Sequence, residues 1–176
     1  MRILTAVGLL FLTFVTGCAQ PADPKRMTVT ILPSEAPFPA ALSSAICVRS
    51  VTGGEPTNPL WVAKVDNAEF KTALTDSLRE RGLLARPEGC RFQLDVNLLG
   101  LSQPVFGLAF TVTTHVNYKL LGSASEPVLL ETISAPYTAE MSEHLVAVIR
   151  LARANEGSIR NNITEFLTRL RALRLG

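Results

Sequence analysis

Histidine and cysteine are scarce in this chain, at two and three residues of 176. His115 and His144 stand at no zinc-type spacing from Cys47 or Cys90, which argues against a metal centre. No cofactor is expected. Charge of either sign is thin, with 17 Lys and Arg against 15 Asp and Glu. No basic block and no RNA-type aromatic motif occurs, so nucleic acid is not an expected partner. Gly53-Gly54 lacks the lysine and spacing of a phosphate-cradling loop. No serine lies in a glycine elbow, and no hexad period of the acyltransferase β-helix type appears. Beyond the first residues, no stretch of about 20 uncharged apolar residues remains to cross a membrane as a helix.

The long apolar run that is present opens the chain. Arg2 is followed by an uncharged run from Ile3 to Val15 and then by Thr16-Gly17-Cys18. A charged start, a short apolar stretch and small residues before a cleavage point make a secretory signal. The run is too short to span a bilayer core of about 30 Å. Val15-Thr16-Gly17-Cys18 resembles the lipobox of bacterial lipoproteins. The resemblance implies that Cys18 becomes the mature N-terminus and carries acyl chains, palmitate among them. One chain alone binds a membrane only marginally, and the three chains of such lipoproteins anchor permanently. In the resembled enterobacterial system an Asp after the cysteine retains the protein in the inner membrane. Ala19 stands there instead, which implies the outer membrane and a periplasm-facing domain.

Three segments follow from this reading. Residues 1–17 are the signal peptide and 18–44 the lipid anchor with an extended tether. Residues 45–176 form one domain, a length that suits a single core. Pro21, Pro24, Lys25 and Arg26 read as a semi-rigid spacer, with a second possible role for the two cations at anionic headgroups. Thr28–Leu32 reads as a short edge strand. With Cys18 taken by lipid, Cys47 and Cys90 remain in an oxidising compartment. They are either a disulfide or two buried thiols. A bridge requires their two strands to be adjacent and parallel.

Within the domain, residues 45–51 read as a β-branched strand. Asp66 and Glu69 match a capping box, and Phe70, Ala73, Leu74, Ser77 and Leu78 recur at helical spacing before Gly82, a natural helix stop. Phe92–Leu98 and Phe110–Leu120 alternate apolar and polar residues, as an antiparallel pair with one covered face does. Val128–Ser134 is a third strand of this group. Leu145, Ile149, Ala152, Ile159, Ile163, Phe166, Leu170 and Leu173 form the apolar stripe of a long helical tract. Glu143 to Arg174 would run about 48 Å, longer than a ten-residue strand of about 33 Å. A bend is therefore expected at Asn155-Glu156-Gly157, with Ser158 capping a second helix. The fold class is α+β in the order β-α-β-β-β-α: a mostly antiparallel four-stranded sheet with two helices on one face. In this order the chain resembles the small α/β periplasmic lipoproteins, of the YajG-like group or of the auxiliary lipoproteins of ABC-type envelope transporters. The Tyr-x-Leu entry pattern of the latter is absent.

Candidate chemistry is sparse. Asp95 and His115 lie on polar faces of neighbouring strands and would stand opposite each other if the turn centres near residue 105. Such a pair orients a general base, or is an ordinary surface pair. Arg153, Arg160 and Arg171 fall on one line of the last helix, with Arg150 nearby and Glu156 in reach of Arg153 or Arg160. They face phosphate or carboxylate groups, as in anionic lipid, or simply water. Val105 and Phe106 sit at the expected hairpin tip, either as a partner or membrane contact or folded back onto the core. Trp61 is a core anchor or a binding hot spot.

The expected function is that of a non-enzymatic outer-membrane lipoprotein, accessory to an envelope assembly. It touches the membrane through the Cys18 acyl chains and an envelope partner through sheet face, edge or hairpin. The alternatives are a carrier with an apolar cleft between helices and sheet, and a hydrolase or transferase using the Asp95/His115 region.

Overall fold

The computed structural model describes residues 20–32, 36–58 and 63–175. The lipobox with Cys18, and Trp61, lie outside the described residues. Strand β1 (Ile46–Thr52) is followed by helix α2 (Asn67–Glu80), then β2 (Phe92–Ser102), β3 (Phe110–Leu121), β4 (Pro127–Ala139) and α3 (Ala147–Ala172), with a one-turn helix α1 (Pro24–Met27) ahead of them all. The sheet order is β1-β2-β3-β4. β1 and β2 run parallel, joined by the α2 crossover, and the other two pairings are antiparallel.

Local chemistry explains the elements. Asp66 accepts from the Glu69 amide at 2.8 Å while the Glu69 carboxylate accepts from the Asp66 amide at 3.1 Å, so both halves of the capping box start α2. At its other end Gly82 takes φ +65°. The Leu83 amide reaches back to the Leu78 carbonyl at 2.9 Å and Gly82 to Arg79 at 3.0 Å, a Schellman closure that also buries Leu83. Alternation along the strands sends Leu94, Val96, Leu98, Val116, Tyr118 and Leu120 inward against Phe70, Leu74, Phe166 and Leu170, while Val112 packs with Phe110, Ala139 and Ala154. The Tyr118 and Phe166 rings stack with centroids 4.2 Å apart.

Two expectations are corrected. The long helix does not break at Asn155-Glu156-Gly157: α3 is continuous over 26 residues, about 39 Å. β3 and β4 have 12 and 13 residues, about 40 Å each, so a straight helix is not too long for its sheet. Gly157 admits the Tyr137 ring, whose Cδ1 lies 2.3 Å from where a Cβ would stand. Ser158 does not cap a helix. Its hydroxyl donates to the Ala135 carbonyl at 2.7 Å and accepts from the Thr114 amide at 2.9 Å. The apolar stripe is also shorter than read: Leu145 precedes the helix and is exposed, while Ile149 and Ala152 are only partly buried.

The second correction concerns residues 22–42, read as tether and edge strand. The described residues among them form no strand. Asp23 caps α1 by accepting from the Lys25 amide at 3.0 Å, and Met27, Val29, Leu32 and Leu42 are core residues. The Val29 amide donates to the buried Ser77 hydroxyl at 2.9 Å and the Asp23 amide to Glu156 Oε1 at 2.9 Å. The segment closes the gap between α2 and α3, where apolar surface would otherwise meet water. The folded unit therefore begins before residue 45.

Candidate functional site

The helices cover one sheet face, and the other carries the polar half of the alternation. At its β1 side a register shift between Val48 and Ser50 frees Arg49 to fork over Asp95, with Nε donating to Oδ1 at 2.8 Å and Nη2 also paired to the carboxylate. Arg49 Nη1 donates to Gln93 at 2.9 Å and Ser50 donates to Asp95 at 2.6 Å. The Arg49 hydrogen bond holds the Asp95 carboxyl below its ordinary range, against a smaller opposing effect of burial. An acid so paired is a poor proton acceptor.

Asp95 and His115 are not brought together. Asp95 pairs with Lys119, and His115 stands opposite Gly100. Five residues of β2 separate the two positions, about 16 Å. The Leu94↔Leu120 pairing centres the hairpin on residue 107, and a further shift follows at Leu98/Gly100. His115 instead bridges two hydroxyls, Ser134 at 2.8 Å from Nδ1 and Ser102 at 3.3 Å from Nε2. The ladder continues with Asn117 to Thr132 at 3.0 Å and Thr111 to Thr138 at 2.8 Å.

The arginines of α3 do not converge either. Arg150 is buried and holds backbone carbonyls. Arg160 donates to the Arg26 carbonyl at 2.9 Å with its guanidinium over the Tyr137 ring. Arg171 lies over Phe38, 4.6 Å from the ring centroid. Arg153 lines a small cleft with Gln20, Pro21, Val148, Ile149 and Glu156. Glu156 is buried and pairs with the Asp23 amide and, at 3.8 Å, with Arg26. Burial raises its carboxyl pKa. It therefore fastens the N-terminal segment and does not join an anion site. Among the described residues no cluster of His, Cys, Asp and Glu suits a metal ion, and no helix is long and apolar enough to cross a membrane.

The most unusual surface is at the β2–β3 end. Val105 is 94% exposed, Phe106 87% and Leu108 74%. They do not fold back. Across from them, in the β4–α3 connection, Leu145 is 79% exposed and Met141 and Val146 are also open to water. Arg150 joins the two loops. Its Nη1 donates to the carbonyls of His144 at 2.7 Å and Leu145 at 3.2 Å, Nη2 to that of Gly107 at 3.4 Å, and the guanidinium sits 4.9 Å over the Phe110 ring. Gln103 adds a bond to Asn155 Oδ1 at 2.7 Å and one to the Ala63 carbonyl at 3.1 Å. An apolar end is thus tied to α3 at Gln103, Gly107, His144 and Leu145 and left in solvent. Sequence reasoning found Val105 and Phe106 but missed Leu108, Met141 and Val146, and placed Leu145 in the core. The signal was Arg150, a cation on the inner side of the helix that needed acceptors from both loops.

No family model matches the chain, and no curated protein matches its sequence. Similarity is found among solved structures. Protein XCC0632 from Xanthomonas campestris, of the family DUF330, superposes with a TM-score of 0.59 at 13% identity, over 84% of this chain and 91% of that one. The hypothetical protein CT253 from Chlamydia trachomatis gives 0.53 at 11% identity, over 74% of this chain and 97% of its own. At such identities the likeness is one of fold.

Proposed function

We propose that this chain is a lipid-anchored protein of the bacterial envelope, held in the outer membrane by Cys18 and facing the periplasm. It works without catalysis, as an accessory or binding component of an envelope assembly. The observation that carries the reading is the exposed apolar end around Val105 and Phe106, a surface suited to contact. The two alternatives have less behind them. A carrier needs a cleft between helices and sheet, and Phe70, Leu74, Tyr118, Phe166 and Leu170 fill that interface. An enzyme using Asp95 and His115 needs them together, and the register holds them apart.

The test is complementation of a deletion strain, with protein level and thermal midpoint measured for each variant. His115→Asn retains a hydrogen-bonding side chain but no imidazole, and is expected to restore the wild-type envelope. Val105→Ser with Phe106→Ser is expected to fail while staying folded. A null His115→Asn beside a fully active hairpin variant would put the enzyme reading first. Cys18→Ser is expected to abolish palmitate incorporation and leave unprocessed precursor.

A further inference from the structure

The apolar end and the start of the folded chain lie at the same end of the molecule. Gln20 and Pro21 line a cleft with Val148, Ile149 and Ala152, in the first two turns of α3, which begins at Ala147. Leu145 and Val146 immediately precede that helix, and Arg150 ties the same turn to the 103–109 loop. Cys18 is two residues from Gln20, and two residues reach at most about 7 Å. The width of α3 adds about 10 Å. An acyl anchor at Cys18 therefore enters the leaflet beside Val105, Phe106, Leu108, Leu145 and Val146.

We propose that this loop end inserts its apolar side chains into the lipid leaflet that holds the Cys18 acyl chains. The domain then lies on the membrane by two attachments, one covalent and one formed by the fold. The inference deepens the anchored-contact reading and rests on it: the contact made by the apolar end is with the membrane, and the polar sheet face is left for an envelope partner. The short reach from Cys18 to the fold favours lipid over a protein partner. The anchor holds these side chains next to hydrocarbon at a high effective concentration, whether or not a partner is present. The exposed carboxylates at this end, Glu140 and Glu143, lie in the β4–α3 connection and must stay at its water-facing rim. Arg150 is buried against carbonyls and the Phe110 ring. Glu143 accepts from the Tyr137 hydroxyl at 3.1 Å and the Glu140 amide at 3.2 Å, on the flank of the loop. Attachment is apolar, so it resists salt.

The experiment uses the acylated full-length protein, with the Cys47–Cys90 disulfide of the structure intact, reconstituted into vesicles of phosphatidylethanolamine and phosphatidylglycerol. Phe106→Cys and Leu145→Cys each take a polarity-sensitive fluorophore. Ser123→Cys, in the β3–β4 turn at the opposite end, is the control. The labels at 106 and 145 are expected to shift to the blue, to be quenched by nitroxides in the acyl chains, and to lose quenching by aqueous iodide, unchanged by added salt. The label at 123 should behave in the reverse way. Palmitate at Cys18 with a water-exposed label at 106 would overturn the inference and leave the anchored reading standing. Absence of palmitate would overturn both. A label shielded in native envelope membranes but open to iodide in protein-free vesicles would show a protein on this end and also overturn the inference.

Discussion

Gly157 has no side chain, and the Tyr137 ring takes the space that one would fill. An alanine there would gain about 1 kcal/mol of helix propensity, yet its Cβ would stand 2.3 Å from Cδ1 and 2.4 Å from Cγ of the ring. These are atoms at the root of the ring, so the whole side chain must move. Gly157→Ala is expected to destabilise by about 1–3 kcal/mol, read from urea denaturation midpoints; a stabilised variant would mean that the ring moves freely. The same residues show why this part of the helix was hard to read. Asn155, Ser158 and Asn162 are polar, yet all are buried and bonded to the backbone of other segments: Asn155 to Ala63 at 2.8 Å, Ser158 to Ala135, Asn162 to Ile133 at 3.0 Å. Polar side chains with tertiary partners look in a sequence like the end of a helix. The cap of α2 was legible because its partners are three residues apart, whereas the partners of Ser158 lie 23 and 44 residues away.

Elements whose cues are local were the readable ones: α2, the three antiparallel strands and their order. The register of β2 on β3 was not, because it depends on where the turn closes. A centre at residue 107 in place of 105 moves each pairing by four residues and separates Asp95 from His115. The parallel β1–β2 pair could not be read with certainty either, since only the crossover argued for adjacency. The structure joins Cys47 to Cys90 with Cα atoms 5.7 Å apart, across that pair. The bridge closes a loop of 43 residues containing α2. Replacing both cysteines by serine is expected to cost about 3–4 kcal/mol in the chain-entropy model, seen as a lowered midpoint in denaturant; an unchanged midpoint would show that the reduced chain keeps this loop ordered. The sheet's edges are guarded by sequence features: Arg49 at the β1 irregularity, and Pro127 and Pro136 in β4. These interrupt the row of free amides on which another chain could pair.

At the scale of the whole molecule, the N-terminal segment is part of the core, and Glu156 fastens it. The carboxylate is almost fully buried, and Oε2 finds no hydrogen-bond donor among the described residues. Burial outweighs the Asp23 amide and Arg26, so the folded-state pKa lies above the ordinary value of 4.5. Folding therefore favours the protonated acid. Its contribution is fully present below the ordinary value and is lost as pH rises through the raised one. Glu156→Gln keeps an acceptor for the Asp23 amide and does not ionise. The variant's thermal midpoint is expected to gain on that of wild type as pH rises from about 4.5 towards neutrality; a constant difference across that range would remove Glu156 titration from the account. The segment was misread because four prolines and two cations in 24–39 suggested a spacer, while its apolar residues are too few to show a period and join a core whose other members lie far along the chain. Their burial has a mechanical consequence. With the anchor proposed at Cys18, a pull enters the described segment at Gln20. It reaches Met27 and Val29 within a dozen residues and passes through Glu156 into the middle of α3. Under the proposed anchoring the domain would follow the membrane as a stiff handle follows a hand, and a force large enough to draw the segment out would open the core.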